Sequence, residues 1–302
     1  MIGLMADEIS LLKKRIMELE SEVQHREQDV QRFKAELVKA NAQLEKMIAQ
    51  VQRELKVAQQ IYRSLVPTEF PHISGFEFST KFVPSMISGG DYFDIFEHED
   101  HMRFGVVLSS ASGHALSALL LSVLIKMAGR LEGRRAQTPE GVMKELEKEL
   151  IPELDGAARL DLFYGVVDRR QYLLRFVLRG DVLLIHQQED GSLELYKDLA
   201  PALMKEKSVG EVSSHQLSLA PRDRLLLVSP GALRAQNLKG ESFGWERVTQ
   251  CIKAAPARGV HELRQNLLFE LEKFMEGAEL RRDLTLLAVE VKDKVIKLAP
   301  TK

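Results

Sequence analysis

The first 65 residues contain no proline, and their only glycine is Gly3. Nothing beyond Gly3 interrupts a helix there, so the chain must accommodate one much longer than a small domain. Apolar side chains recur along it in alternating steps of three and four: Ile9, Leu12, Ile16, Leu19, Val23, then Val30, Phe33, Leu37, Ala40 and Leu44. Arg26 is the one polar occupant of that seam. A sustained 3.5-residue period marks a left-handed coiled coil. After Leu44 a second step of four leads to Ile48, and the series resumes through Val51, Leu55, Ala58, Tyr62 and Leu65. Such a stutter locally unwinds the supercoil, either as a static feature or as a switch point. At 1.5 Å per residue, Ile9 to Leu65 runs roughly 85 Å. The stripe needs a second helix, and another copy of the chain supplies one, so residues 1–66 are expected to form a dimerising coiled coil. The competing arrangement is an amphipathic helix lying along its own domain.

Pro67 and Pro71 end the helix. Short aliphatic and β-branched runs follow at Glu77–Val83, Arg103–Leu108, Leu162–Val167, Leu173–Leu178, Val182–His186, Arg224–Val228 and Leu284–Val291. Helical stretches are expected at Ala115–Leu131, Pro139–Leu150 and His261–Met275. Strands with helices in blocks, rather than strict alternation, predict an α+β layered domain over residues 67–292, followed by a tail at 293–302. The net charge of −2 gives no global reason to expect nucleic acid or an anionic membrane as partner. The most apolar stretch, Ala115–Ala128, is broken by Ser117, Ser122 and Lys126 and is too short to span a bilayer. The single cysteine, Cys251, excludes an intramolecular disulfide and reads as a core thiol; a cytoplasmic location is expected.

Several segments carry a more specific pattern. Glu54-Leu-Lys-Val-Ala-Gln-Gln-Ile-Tyr-Arg-Ser-Leu-Val-Pro67 leads out of the helix, and Gly89-Gly-Asp-Tyr-Phe-Asp-Ile-Phe96 follows. Then come Val106-Val-Leu-Ser-Ser-Ala-Ser-Gly-His-Ala115 and Leu162-Phe-Tyr-Gly-Val-Val-Asp168. Asp223-Arg-Leu-Leu-Leu-Val-Ser-Pro-Gly-Ala232, Gly240-Glu-Ser-Phe-Gly244 and Arg282-Asp-Leu-Thr-Leu-Leu287 complete the series. In order and spacing these resemble the motifs of SpoIIE-type serine/threonine phosphatases, bacterial members of the metal-dependent (type 2C, PPM) class. The resemblance implies two packed antiparallel β-sheets flanked by helices. In active members, two Mg²⁺ or Mn²⁺ ions sit between the sheets, held by converging aspartates. They activate a bridging water and clamp the phosphoryl oxygens.

Here the pattern departs. Asp91 matches a family metal ligand, but Ser110, Pro230 and Arg282 stand where three further aspartates are expected. A fixed cation at position 282 repels a divalent ion. Leu178-Arg-Gly-Asp181 occupies the place of an NAGH-like turn, and Ala115 replaces a glycine after Gly113-His114. Asp94, His114 and Asp283 are further candidate pocket residues. Each also has a plain structural reading: a turn or hydrogen-bonded carboxylate, a helix-start residue, and a strand-entry residue. Asp168 reads as a hairpin residue. Charge balance predicts that Arg282 enters the old metal pocket and pairs with Asp91, within about 6 Å, in place of an ion.

The expectation is therefore a SpoIIE-type pseudophosphatase with no bound metal. Its expected partners are a second copy of itself and either an anti-anti-sigma-like phosphoprotein of a partner-switching pathway or a related phosphatase. One alternative is an active Mn²⁺- or Mg²⁺-dependent enzyme using Asp91, Asp94, Asp283 and Asp181. The other is an architectural coiled-coil protein.

Overall fold

The computed structural model describes residues 2–65, 67, 69–85, 90–112, 138–154, 156, 158–205, 211–256 and 259–292. The side chains of residues 2–12, 55, 58, 59, 61–65 and 153 are not described. Two compact units result, Met1–Val57 and Ala58–Lys302.

The described residues of the first unit are helical, as part of α1 (Ile2–Leu65). Its seam residues Ile16, Leu19, Val23, Val30, Phe33, Leu37, Leu44 and Val51 are 44–69% exposed. The helix is present as expected, although no partner helix is in the structure to pair with it. The seam positions Ile9, Leu12 and Leu55 have side chains outside the described set.

The second unit begins its sheets at β1 (Phe76–Val83), followed by β2 (Asp91–Glu97) and β3 (Arg103–Ser112). After α2 (Pro139–Leu150) come β4 (Arg159–Asp168), β5 (Leu173–Arg179), β6 (Leu183–Gln187), β7 (Leu193–Tyr196), β8 (His215–Ser218) and β9 (Arg224–Val228). The last elements are α3 (Pro230–Leu233), α4 (Gly244–Ala254), α5 (Val260–Met275) and β10 (Leu284–Val291). One sheet runs β1-β10-β9-β6-β7 and the other β2-β3-β4-β5-β8, and every pairing is antiparallel. This is the two-sheet sandwich that the motifs imply. The expected helix at Ala115–Leu131 falls outside the described residues.

Strand alternation divides the core. Phe93, Ile95, Phe104, Val106, Leu108, Phe163 and Phe176 meet Leu184, Leu225, Leu227, Leu287 and Val289 between the sheets. On the outer face of the second sheet, Tyr92, Val107, Leu162 and Tyr164 pack against Val142, Met143, Leu146 and Leu150 of α2. The outer face of the first sheet packs Leu226, Val228, Leu286 and Ala288 against α4 and α5. Because β2, β4 and β10 are covered on both faces, their sequences lack the polar-apolar alternation of a half-exposed strand.

Local signals fix the helix ends. Thr138 Oγ1 accepts from Gly141 N at 3.3 Å at the start of α2, and Pro139 fills the first helical position, where no donor is needed. Gly259, at φ 95°, starts α5 and donates its N–H to Glu290 Oε2 at 2.9 Å.

Candidate functional site

Three residues on neighbouring strands form a row. Asp91 on β2 stands opposite Ser110 on β3, and Ser110 stands opposite Asp161 on β4. Directly opposed residues share a face, so all three side chains point the same way. All are buried: Asp91 and Ser110 at 1% exposure, Asp161 at 0%. From the other sheet, Asp283 just before β10, Thr285 within it and Ser229 just after β9 close over the Asp91 end of the row.

The Asp91 end is a tight hydrogen-bonded knot. Thr285 Oγ1 donates to Asp91 Oδ2 at 2.8 Å, and Ser229 Oγ accepts from Thr285 N at 2.9 Å. Asp283 Oδ1 accepts from Ser85 N at 2.7 Å, and its Oδ2 from Asp91 N at 3.2 Å. Burial, then the neighbouring charge of Asp283, raises the Asp91 carboxyl to about 7 despite the Thr285 hydroxyl. Burial raises Asp283 to about 6, opposed by the N–H donors of Ser85, Asp91 and Gly90 and by Arg282. Near neutrality the pair therefore keeps part of a proton instead of presenting two full negative charges.

The Asp161 end is cationic. Arg159 donates from Nε (3.0 Å) and Nη2 (2.8 Å) to Asp161 Oδ1, and its Nη2 lies 2.7 Å from Asp181 Oδ1. Arg234 pairs with Asp181 Oδ2. Asp161 Oδ1 also accepts from Asp181 N at 3.0 Å, in the turn after β5. Gly180 makes that turn possible: its φ is 76°, and an added Cβ would sit 2.0 Å from Asp161 Oδ1. Arg282 Nη2 lies 4.0 Å from Asp161 Oδ2, both atoms buried and without a hydrogen bond. Burial pulls the Arg282 pKa down, while Asp161 first and Asp91 second favour its charge.

The expected partner of Arg282 is Asp91; among the described residues the Arg282 ion pair within 4.0 Å is to Asp161, and the Asp91 charge acts on it after that of Asp161. The Asp91 carboxylate itself accepts from the Thr285 hydroxyl, and the Asp91 N–H donates to Asp283. Pro230, buried, opens the four-residue α3 and offers no side-chain ligand. Gly231 beside it is required, because a Cβ there would lie 1.8 Å from the Asp283 carbonyl oxygen. Asp94 does not join the row. It lies on the opposite face of β2 with Tyr92 and Phe96, where its Oδ2 accepts from Tyr92 OH at 2.9 Å. Asp168 sits at the far end of β4, where Arg103 Nε donates to its Oδ2 at 3.2 Å and Arg170 N to its Oδ1 at 2.9 Å. His114 lies outside the described residues.

Asp161 was missed in the sequence. It precedes the apolar run that marks β4, and only its register against Ser110 places it in the row.

A pair of divalent ions needs several carboxylates with free oxygens aimed at one point. Among the described residues, no group of three or more His, Cys, Asp or Glu is placed to hold a metal. The Asp91 and Asp283 oxygens already accept protein hydrogen bonds, and Arg282 brings a guanidinium into the space beside them. This donor set does not fit the two-metal centre of the fold class.

The sandwich and its inter-sheet row define a PPM-type phosphatase fold. Similar structures include the PP2C domain of SiaA from Pseudomonas aeruginosa, at 20% identity and TM-score 0.67 over 80% of this chain and 97% of that one. The RsbU and RsbW domains of Rv1364c from Mycobacterium tuberculosis match at 17% identity and TM-score 0.62, over 78% of this chain and 65% of theirs. The phosphatase domain of SpoIIE from Bacillus subtilis, with a fragment of its regulatory domain, matches at 16% and 0.59, over 72% and 65%. The profile of the Stage II sporulation protein E (SpoIIE) family matches residues 100–292, and the chain belongs to that family. No match to a curated protein reaches significance.

Proposed function

We propose that this chain is a SpoIIE-type pseudophosphatase: a signalling module that binds a phosphorylatable regulator, or a partner phosphatase, without turnover. The observation that carries this reading is Arg282, whose guanidinium lies against the buried Asp161 where the resemblance expects a metal-binding carboxylate. A protein arginine there supplies fixed positive charge but no activated water, so phosphate hydrolysis loses its nucleophile. Asp91 is a remnant of the metal site. Ser110 and Pro230 are its neutralised positions, and Asp94, Asp283 and His114 take no catalytic part. The protein needs no metal, works in the cytoplasm and pairs with a second copy through the seam of α1. By family resemblance, the regulator is an anti-anti-sigma-like protein carrying phosphoserine.

The test offers a phosphoserine-bearing anti-anti-sigma-like regulator, and its unphosphorylated form, with Mn²⁺ or Mg²⁺. Binding with no phosphate release is expected. Metal-dependent release that disappears in Asp91→Ala would establish an active enzyme instead. Removal of residues 1–66 separates the remaining reading: binding that persists belongs to the globular domain, and binding that vanishes belongs to the coil.

A further inference from the structure

The flanks of the α1 seam carry a charge pattern that does more than permit pairing. With Ile16, Val23, Val30 and Leu37 at heptad position a, and Leu19, Arg26 and Phe33 at d, position g holds Arg15, Glu22, Asp29 and Glu36. Position e then holds Glu20, Glu27 and Lys34. Ile16, Leu19 and Val23 line a shallow groove with Glu20, Gln24 and Glu27 on its rim, and the seam side chains lie open to solvent.

In a parallel in-register pair, each g residue meets the e residue five positions on in the other helix. Arg15 then meets Glu20, and Asp29 meets Lys34, each pair opposite in charge and each occurring twice. Glu22 meets Glu27, which alone would repel. Arg26 lies at the d position between those two, and already donates from Nη2 to Glu22 Oε1 at 2.8 Å within one helix. Two copies bring two Arg26 side chains among four glutamates, which offsets half of that negative charge at this one level of the seam.

An antiparallel pair apposes g with g and e with e. The g column, with Glu22, Asp29 and Glu36 against a single Arg15, then faces itself, and Arg26 meets an apolar a-position residue.

We infer that α1 specifies a second copy of this chain in parallel, in-register alignment, with Arg26 and its Glu22–Glu27 ring as the register-setting layer. This rests on the self-pairing proposed above and adds its direction and alignment. A buried charged layer selects one alignment because any shift leaves the guanidinium against apolar neighbours.

The experiment uses the full chain. Leu19→Cys and Phe33→Cys, made separately, are oxidised mildly beside the natural protein, and masses are read by sedimentation. The only native thiol, Cys251, is buried. A residue meets its own copy at every level of a parallel in-register pair, but at one level only of an antiparallel pair. Both variants are expected to form disulfide-linked dimers while the natural protein does not. Cross-linking at one site or neither, in a chain that still sediments as a dimer, overturns the alignment and leaves self-pairing standing. A monomer overturns both. Arg26→Glu is expected to weaken the dimer at least tenfold and Arg26→Leu to retain it. Equal dimerisation of Arg26→Glu and the natural chain would remove Arg26 as the register-setting residue.

Discussion

Replacing Asp91 by asparagine should stabilise this protein, the opposite of what loss of a working metal ligand does to a loaded enzyme. In the folded chain Asp91 is fully buried, and burial followed by Asp283 raises its carboxyl from 3.8 to about 7. The folded state therefore holds this proton more tightly than the unfolded state. Its contribution to stability is complete below about pH 3.8 and is lost as pH rises through about 7. Ionising such a group in the folded state costs on the order of 4 kcal/mol at full displacement. Because Asp283 shares the proton, about 2–4 kcal/mol is the expected gain from removing the charge. Asparagine cannot ionise, keeps an oxygen to accept from Thr285 Oγ1, and adds an N–H that can face Asp283. Urea denaturation in EDTA, followed by circular dichroism, should show Asp91→Asn more stable at pH 8 by that amount and nearly equal at pH 4. In thermal melts the gain corresponds to roughly 4–16 °C for a domain of this size. Equal or lower stability at pH 8 would refute the reasoning, since it would mean that the protein already balances an ionised Asp91.

Other outcomes follow from single contacts. Cys251 is buried on α4, and burial, aided by Glu270, raises its thiol to about 11, so it should react with a disulfide reagent at pH 8 only when urea unfolds the chain. Gly231→Ala should cost about 3 kcal/mol or prevent folding, because the added Cβ meets the Asp283 carbonyl at 1.8 Å; a melting curve reads this directly. Asp161→Ala should destabilise by about 3 kcal/mol in urea titrations, because it leaves Arg159 and the half-buried Arg282 without their shared carboxylate.

The parts legible in the sequence were those whose physics is local. A 3.5-residue period, interrupted by one stutter, announces α1, and the apolar runs at β9 and β10 match their strands residue for residue. Strand β2 was visible as a motif but not as a strand, since six of its seven residues are buried and no alternation survives. Strand β3 continues past Leu108 to Ser112 because Ser109 and Ser110, polar in type, are buried between β2 and β4. The short β7 and β8 stand at sheet edges with mixed exposure, so their patterns resemble loops. In the site, Ser110, Pro230 and Arg282 could be read directly at the positions where the resemblance expects aspartates. The partner of Arg282 could not, because Asp161 reaches it only through strand register, which sequence spacing does not encode.

Calorimetric titration of the natural protein with Mn²⁺, beside a Ser110→Asp, Pro230→Asp, Arg282→Asp variant, addresses the account most directly. The account predicts no high-affinity binding to the natural chain and at least partial binding to the variant, once aspartates converge and the guanidinium is gone. Tight Mn²⁺ binding by the natural chain, together with phosphate release from a phosphoserine substrate, would contradict it.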